Sequence, residues 1–208
     1  MRAGSPLVQF DRAKFKEVVL FICSICDPDR LGAVKLHKIL YLSDMVQFAF
    51  EGRPITGSTY RKRDFGPTSQ HLLSTLRALE LEGAIRIGQV QYFQYIKRTY
   101  VPLRDPNLAL LSEEEITLIR DAADFVANHN TAKTISDFSH NRAWEMADFG
   151  AEIPYNSAFA LFPSEVSPET IEWAVSVAGE VEAERPQRPA VDYTSFADFR
   201  SRMQAGRG

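Results

Sequence analysis

The sequence has no long hydrophobic run. Its longest apolar stretch goes from Val18 to Cys26 and is interrupted by Ser24, whereas a membrane-spanning helix needs about 18 apolar residues or more. The stretch begins too far from Met1, among charged residues, to resemble a secretory signal. The last residues carry no lipidation motif either. We therefore expect a cytoplasmic protein with no membrane partner.

Cysteine is scarce. The only two, Cys23 and Cys26, form a C-x-x-C pair, which excludes a disulfide scaffold but leaves three interpretations: a redox pair, half a zinc site, or two core residues. A closed zinc site needs two more ligands, and the histidines (His37, His71, His129 and His140) show no ligand spacing. Because the pair lies at the end of a predicted amphipathic helix, we favour two core residues and expect neither metal nor cofactor.

The common catalytic motifs are also missing. The sequence contains no phosphate-binding G-x-x-x-x-G-K-[ST], no G-x-S-x-G, no H-E-x-x-H and no G-x-G-x-x-G. Asp137 and His140 are three residues apart in a predicted helix and could form an acid–base pair or a structural hydrogen bond. Without a nucleophile beside them, we expect no catalytic residue and no enzymatic activity.

The net charge is small, but the charged residues are unevenly distributed along the sequence. The 208 residues include 24 Lys and Arg against 27 Asp and Glu, which does not favour a dedicated nucleic-acid-binding protein. The segment from Arg61 to Arg104 has eight cations and three anions, whereas Leu111 to Glu152 has three cations and nine anions. Either the two segments face each other or solvent, or the first forms a basic patch for a nucleic acid or an acidic partner.

Hydrophobic periodicity predicts an α+β protein that is mostly α-helical. A first helix spans Asp11 to Cys26, and a second, from Ala33 to Phe50, is apolar nearly all round and therefore predicted to be the buried centre of the fold. Strand-forming residues from Ala84 to Leu103 predict one β-hairpin. Its turn could lie at Gly88-Gln89 or near Ile96-Lys97-Arg98.

Start signals predict further helices after Pro67, at Ser112, near Thr131 and Asn141, and at Ser167-Pro168. Polar, proline-rich composition after Gly179 predicts a flexible C-terminal tail. We thus expect one compact domain over residues 1–180 and a tail over residues 181–208, with a possible short helix at residues 193–203.

A DNA-binding alternative rests on the order of elements. Helix, basic link, helix and hairpin between Ala33 and Val101 are similar to a winged helix, and Arg61 to Arg63 with Lys97-Arg98 could contact phosphates. The second helix is too apolar to lie on a duplex, so we consider DNA an unlikely partner.

Four short motifs, in order, resemble the Panacea domain of the SocA-like antitoxin family. The string from Val34 to Asp44 (VKLHKILYLSD) resembles its K-L-x-K-[LI]-L-Y signature, and the string from Gly52 to Ile55 (GRPI) resembles its G-[RK]-P-L connector. Phe65-Gly66-Pro67 resembles its [YF]-G-P, and Ser139-His140 with Trp144 its S-H-x-x-x-x-W segment. The resemblance covers residues 33–155. The matching positions are Lys35, Leu36, Lys38, Leu40, Tyr41, Gly66, Pro67, His140 and Trp144.

The resemblance implies an antitoxin that neutralises a cognate protein toxin by direct binding, in a bacterial or phage type II toxin–antitoxin system. It also implies an alternative, in which the protein delivers its toxin to an AAA+ protease as an adaptor. No catalytic reaction is assigned to the family. Aromatic and arginine side chains dominate such interfaces, so the candidate partner-binding residues are Tyr60, Arg61, Arg63, Phe65, Tyr92 and Phe93.

Overall fold

The computed structural model describes residues 8–92 and 94–161. The order of elements is α1 (Arg12–Ile25), α2 (Ala33–Glu51), β1 (Tyr60–Arg61), β2 (Thr68–Ser69), α3 (Leu72–Leu81), β3 (Ile85–Tyr92), β4 (Tyr95–Pro102), α4 (Glu113–Asn128), α5 (Ala132–Ser139) and α6 (Arg142–Glu145), with 3₁₀ turns at Leu108–Leu110 and Tyr155–Ala160. The predicted last helix, the tail and the boundary at residue 180 lie outside the described residues.

Helix α2 is the centre of the fold. It packs against α1, α4 and α5, against β2 and β4, and against the 3₁₀ turn at Tyr155–Ala160. Its apolar side chains are buried, Leu36, Ile39, Leu40 and Met45 among them, as expected for a helix that is apolar nearly all round. Gly52 ends the helix in the left-handed conformation, with φ of 69°.

Local signals account for the ends of the other helices. The Asp11 carboxylate accepts from the backbone N–H of Lys14 and caps α1. Ser112 and Glu115 form a reciprocal capping box at α4. Three acidic residues in the first turn of α4 also interact favourably with the positive end of the helix dipole.

The hairpin is present, but neither predicted turn is right. Tyr92 pairs with Tyr95 at the end of the ladder, while Gly88 pairs with Thr99 within it. The chain therefore reverses between Tyr92 and Tyr95, where the sequence has no Asn-Gly or Asp-Gly dipeptide to mark a two-residue loop. A second, shorter antiparallel pair, β1 with β2, was not predicted.

The predicted fold class is confirmed: the described chain is mostly α-helical, with a central buried helix and a β-hairpin. Across the described ranges, no helix combines the length and the apolar character that crossing a membrane requires.

Truncation of Leu40 to alanine tests the central position of α2. Leu40 is buried in the core, so Leu40→Ala should lower the free energy of unfolding by about 2–5 kcal/mol through the cavity it leaves. Urea denaturation measures this loss. Leu73→Ala, at an exposed leucine of α3, is the matched control and should cost less than about 1 kcal/mol. Equal losses in the two variants would contradict a buried α2.

Candidate functional site

Lys38 lies in the middle of α2 with only 1% of its surface exposed. Its Nζ donates to the Pro67 carbonyl oxygen at 2.9 Å. Burial lowers the pKa of Lys38 to about 7, because a charged ammonium is disfavoured away from water. This lysine therefore joins the central helix to the turn that contains Gly66 and Pro67.

Gly66 lies directly against this lysine. Its φ is +87°, and a Cβ added there would come 2.7 Å from Lys38 Nζ and would also overlap Ser139 Oγ. Ser139 is itself fully buried at the end of α5 and donates to the Ser136 carbonyl oxygen at 2.8 Å. Only glycine fits this position, both for its backbone conformation and for the space.

A second buried polar group on α2, Asp44, binds the chain that follows the helix. Its carboxylate accepts from the Thr56 backbone N–H at 2.7 Å and from the hydroxyls of Thr56 (2.5 Å), Tyr60 (2.7 Å) and Tyr155 (3.1 Å). Burial raises the pKa of Asp44, and these hydrogen bonds oppose that rise. The site therefore contains two residues, Asp44 and Tyr155, that the sequence did not single out.

Tyr60 is a candidate partner-binding residue that the structure places inside the fold. Only 1% of its surface is exposed, its hydroxyl donates to Asp44, and its ring packs edge-on against Tyr41 at 5.3 Å between centroids. An aromatic residue in a basic segment suggested an exposed contact, but the buried carboxylate of Asp44 provides its hydrogen-bond partner inside the fold.

The other residues of the α2 motif also point inward. Leu36, Leu40 and Tyr41 belong to the core. Burial raises the pKa of Tyr41, and its interaction with the Asn141 side chain opposes that rise. Lys35 is partly exposed, and its Nζ donates to the Ala127 carbonyl oxygen at the end of α4, at 2.9 Å.

His140 and Trp144 form a stacked pair next to the same turn. Their ring centroids are 3.9 Å apart, with 13° between the ring planes. Trp144 Nε1 donates to the Arg63 carbonyl oxygen at 3.3 Å, and Lys62 Nζ lies 4.0 Å from the Trp144 ring. The ring of Trp144 thus supports the basic turn from the α6 side.

The basic and acidic segments face each other, but mostly through backbone groups. Arg61 donates to the Gly150 carbonyl oxygen at 3.0 Å, and Lys62 Nζ donates to the carbonyl oxygen of Ala147 at 3.0 Å. The backbone of Lys62 also exchanges hydrogen bonds with Gly150 and Ala151. Arg61 and Lys62 therefore fix the segment after α6, and Arg63 remains exposed.

We define the turn surface as four exposed side chains at this junction, Arg63, Phe65, Met146 and Phe149; the neighbouring Asp64, Glu145 and Asp148 are exposed as well. Phe65 is 68% exposed and Phe149 is 61% exposed. The Arg63 guanidinium lies 5.9 Å from the Phe149 ring. Of the remaining candidates, Tyr92 is the last residue of β3, and Phe93 lies outside the described residues.

The cysteines are buried, and His140 contacts Asp137 through its backbone. Cys23 and Cys26 are free and buried in the core, and burial raises the pKa of Cys26 to about 11, which disfavours the thiolate. His140 contacts Asp137 through its backbone N–H, which donates to the Asp137 carbonyl oxygen. In the described part of the chain, no group of three or more His, Cys, Asp or Glu side chains could hold a metal ion.

A methyl group at Gly66 should disrupt the junction. Gly66→Ala is expected to lower the free energy of unfolding by about 2 kcal/mol or more, since it combines positive φ with an overlap in a buried site. Gly52→Ala is the control, because Gly52 also has positive φ but nothing within 4 Å of an added Cβ, so about 1 kcal/mol is expected. Chemical denaturation of both variants measures the difference. A smaller loss at Gly66 than at Gly52 would be inconsistent with the packing described.

The buried lysine should make stability depend on pH. The ordinary pKa of lysine is 10.5 and that of Lys38 is about 7, so the unfolded chain binds more protons between these values and stability rises with pH there. Relative to Lys38→Met, the wild-type protein should gain about 1.4 kcal/mol per pH unit in this window. Urea unfolding at pH 7, 8 and 9 measures it, with exposed Lys133→Met as the control. A constant difference between wild type and Lys38→Met would refute the assignment.

Comparison with known proteins agrees with this arrangement of motif residues. No curated protein and no solved structure matches the chain. A family model described as antitoxin SocA-like, Panacea domain, matches residues 36–145, which is more than half of the chain. The matched range contains α2 from Leu36 onward, the Gly66 turn, the hairpin and the residues of α5 and α6 that contact the turn. The chain therefore belongs to the SocA-like antitoxin family and carries its Panacea domain.

Proposed function

We propose that this protein is an antitoxin that neutralises a cognate protein toxin by binding it directly, and that the turn surface is where the toxin docks. Membership of the antitoxin family supports the first part. The observation that carries the second is the exposure of Phe65, Phe149 and Met146 beside Arg63. Exposed apolar side chains next to an arginine are the composition found at the energetic centre of protein interfaces.

The rigidity of the turn also favours docking there. Two side chains donate hydrogen bonds to backbone carbonyls of the turn, Lys38 to that of Pro67 and Trp144 to that of Arg63. Arg61 and Lys62 are committed to carbonyls beyond α6. A surface that is already ordered loses little conformational entropy on binding. Arg63 and Phe65 are therefore presented by a fixed backbone.

The family offers two modes of neutralisation, and the fate of the toxin distinguishes them. In direct sequestration the toxin accumulates as a stable complex with the antitoxin. In delivery to an AAA+ protease, the toxin disappears when the antitoxin is present. We propose sequestration. Both modes require the antitoxin to bind its toxin, so the persistence of the toxin decides between them, not the composition of the turn surface.

Co-expression with the product of the adjacent gene tests the proposal. The wild-type protein should rescue growth, and toxin detected by immunoblot should persist and co-purify with it. The combined variant Arg63→Glu/Phe65→Ala should bind the toxin at least about tenfold more weakly, because charge reversal and truncation affect two hot-spot residue types, and it should rescue poorly. Phe50→Ala is the control, since Phe50 is 80% exposed but lies outside the turn surface.

Two results would contradict the proposal. If the neighbouring protein is harmless when expressed alone, the antitoxin role loses its basis. If Arg63→Glu/Phe65→Ala binds and rescues as well as the wild type, the toxin does not dock on the turn surface. Loss of the toxin upon co-expression would replace sequestration by proteolytic delivery.

A further inference from the structure

A cleft of about 340 Å³ lies between α3 and the hairpin, away from the turn surface. Leu73, Leu76 and Arg77 of α3 form part of one wall, and Ile87 and Gln89 of β3 form part of the other. Arg98 of β4 also lines the cleft. The cleft therefore combines apolar side chains with arginine, glutamate and glutamine, a mixed lining that can bind an amphipathic ligand.

Gln89 of strand β3 directs its backbone N–H and C=O groups away from β4, at this cleft. The Leu103 backbone N–H donates to the Ala84 carbonyl oxygen at 2.9 Å, so even-numbered residues of β3 face β4 and odd-numbered ones direct their N–H and C=O groups outward. The Ile87 N–H agrees with this, since it points to Glu80 Oε1 at 3.4 Å. Gln89 therefore presents a donor and an acceptor at the cleft, and among the described strands β3 pairs only with β4.

The cleft carries an excess of positive charge. Arg77 and Arg98 form no salt bridge with any described residue. Glu80, the acidic residue lining the cleft, accepts from the Ile87 N–H. Glu82, one residue beyond α3, is paired with Lys16 of α1. Two arginines thus remain for carboxylates of a ligand.

We propose that this cleft binds an extended, acidic peptide segment of a protein partner, whose backbone lies beside β3 at Gln89. The peptide backbone pairs with the N–H and C=O of Gln89, as in domains that take a peptide between a strand and a helix. Peptide residues two apart share a face, so alternate carboxylates can meet Arg77 and Arg98. This site does not depend on the antitoxin role of the turn surface.

A nucleic acid is the competing ligand, because phosphates would also be attracted to the two arginines. The backbone N–H and C=O groups at a strand edge are spaced to pair with another peptide strand. A peptide therefore matches them better than a nucleic acid does. The apolar side chains of Leu73 and Leu76 in the same cleft also suit a peptide. The observations therefore favour the acidic peptide.

Fluorescence anisotropy with the full chain and a labelled peptide of alternating glutamate and valine tests the proposal. Saturable binding is expected, and Arg77→Glu/Arg98→Glu should weaken it at least about tenfold by charge reversal. Arg86→Glu is the matched control, because Arg86 lies on the opposite face of β3, and it should retain most of the affinity. Circular dichroism shows that each variant is folded.

Two further probes test the mode of binding. The same peptide with N-methylated backbone amides keeps its carboxylates but cannot pair with β3, so it should not bind. A single-stranded DNA oligonucleotide should bind more weakly than the acidic peptide. The proposal is overturned if the acidic peptide fails to bind, if the N-methylated peptide binds equally well, or if DNA is the tighter ligand and shows the arginine dependence.

Discussion

Two polar side chains inside the central helix determine where the rest of the domain lies. Lys38 and Asp44 are each 1% exposed in the middle of α2, and buried polar groups are costly unless they find hydrogen-bond partners. Lys38 donates to the Pro67 carbonyl oxygen, and the Asp44 carboxylate accepts from the hydroxyls of Thr56, Tyr60 and Tyr155. Since these partners lie in segments with little regular structure, the helix holds in place the parts of the chain that could not order themselves.

The short turn that contains Gly66 and Pro67 has one side that contacts the core and one side that is exposed. Gly66 and Pro67 contact Lys38 on the inside, whereas Arg63 and Phe65 of the same turn face outward. The stacked His140 and Trp144 support it from α5 and α6. Three of the four family motifs, those that contain Lys38, Gly66 and Trp144, therefore meet at one junction. The proposed docking residues Arg63 and Phe65 belong to the same turn.

The sequence predicted features that depend on neighbouring residues. The Asp11 cap, the α2 bounds and the Ser112 capping box were all read from local patterns, and they agree with the structure. Contacts across the fold were not predictable in this way. Tyr60 was placed at a surface because its partner, Asp44, is 16 residues away, and the hairpin turn was misplaced because the sequence between Tyr92 and Tyr95 has no turn dipeptide.

The distribution of charged residues along the sequence did not predict which groups the basic side chains contact. The basic and acidic segments do meet, but Arg61 and Lys62 bind backbone carbonyls rather than carboxylates, and carbonyl positions cannot be read from residue types. The hydrogen-bond register of the hairpin likewise determines which backbone groups of β3, such as those of Gln89, face away from β4. Residue types do not reveal this register. The motif positions could be predicted from the resemblance, and the burial of those in α2 from the apolar character of that helix, while their hydrogen-bond partners required the packing.

Native-state hydrogen exchange at the backbone amides of Thr56 and Gly66 is the most direct test of this account. Thr56 N–H donates to Asp44, and Gly66 N–H closes the turn on the Arg63 carbonyl. If the two segments are held by α2, both amides should exchange only through global unfolding, with the same opening free energy as the amides of α2. Exchange of either amide through local opening, at much lower free energy, would contradict the claim that the buried helix holds the turn.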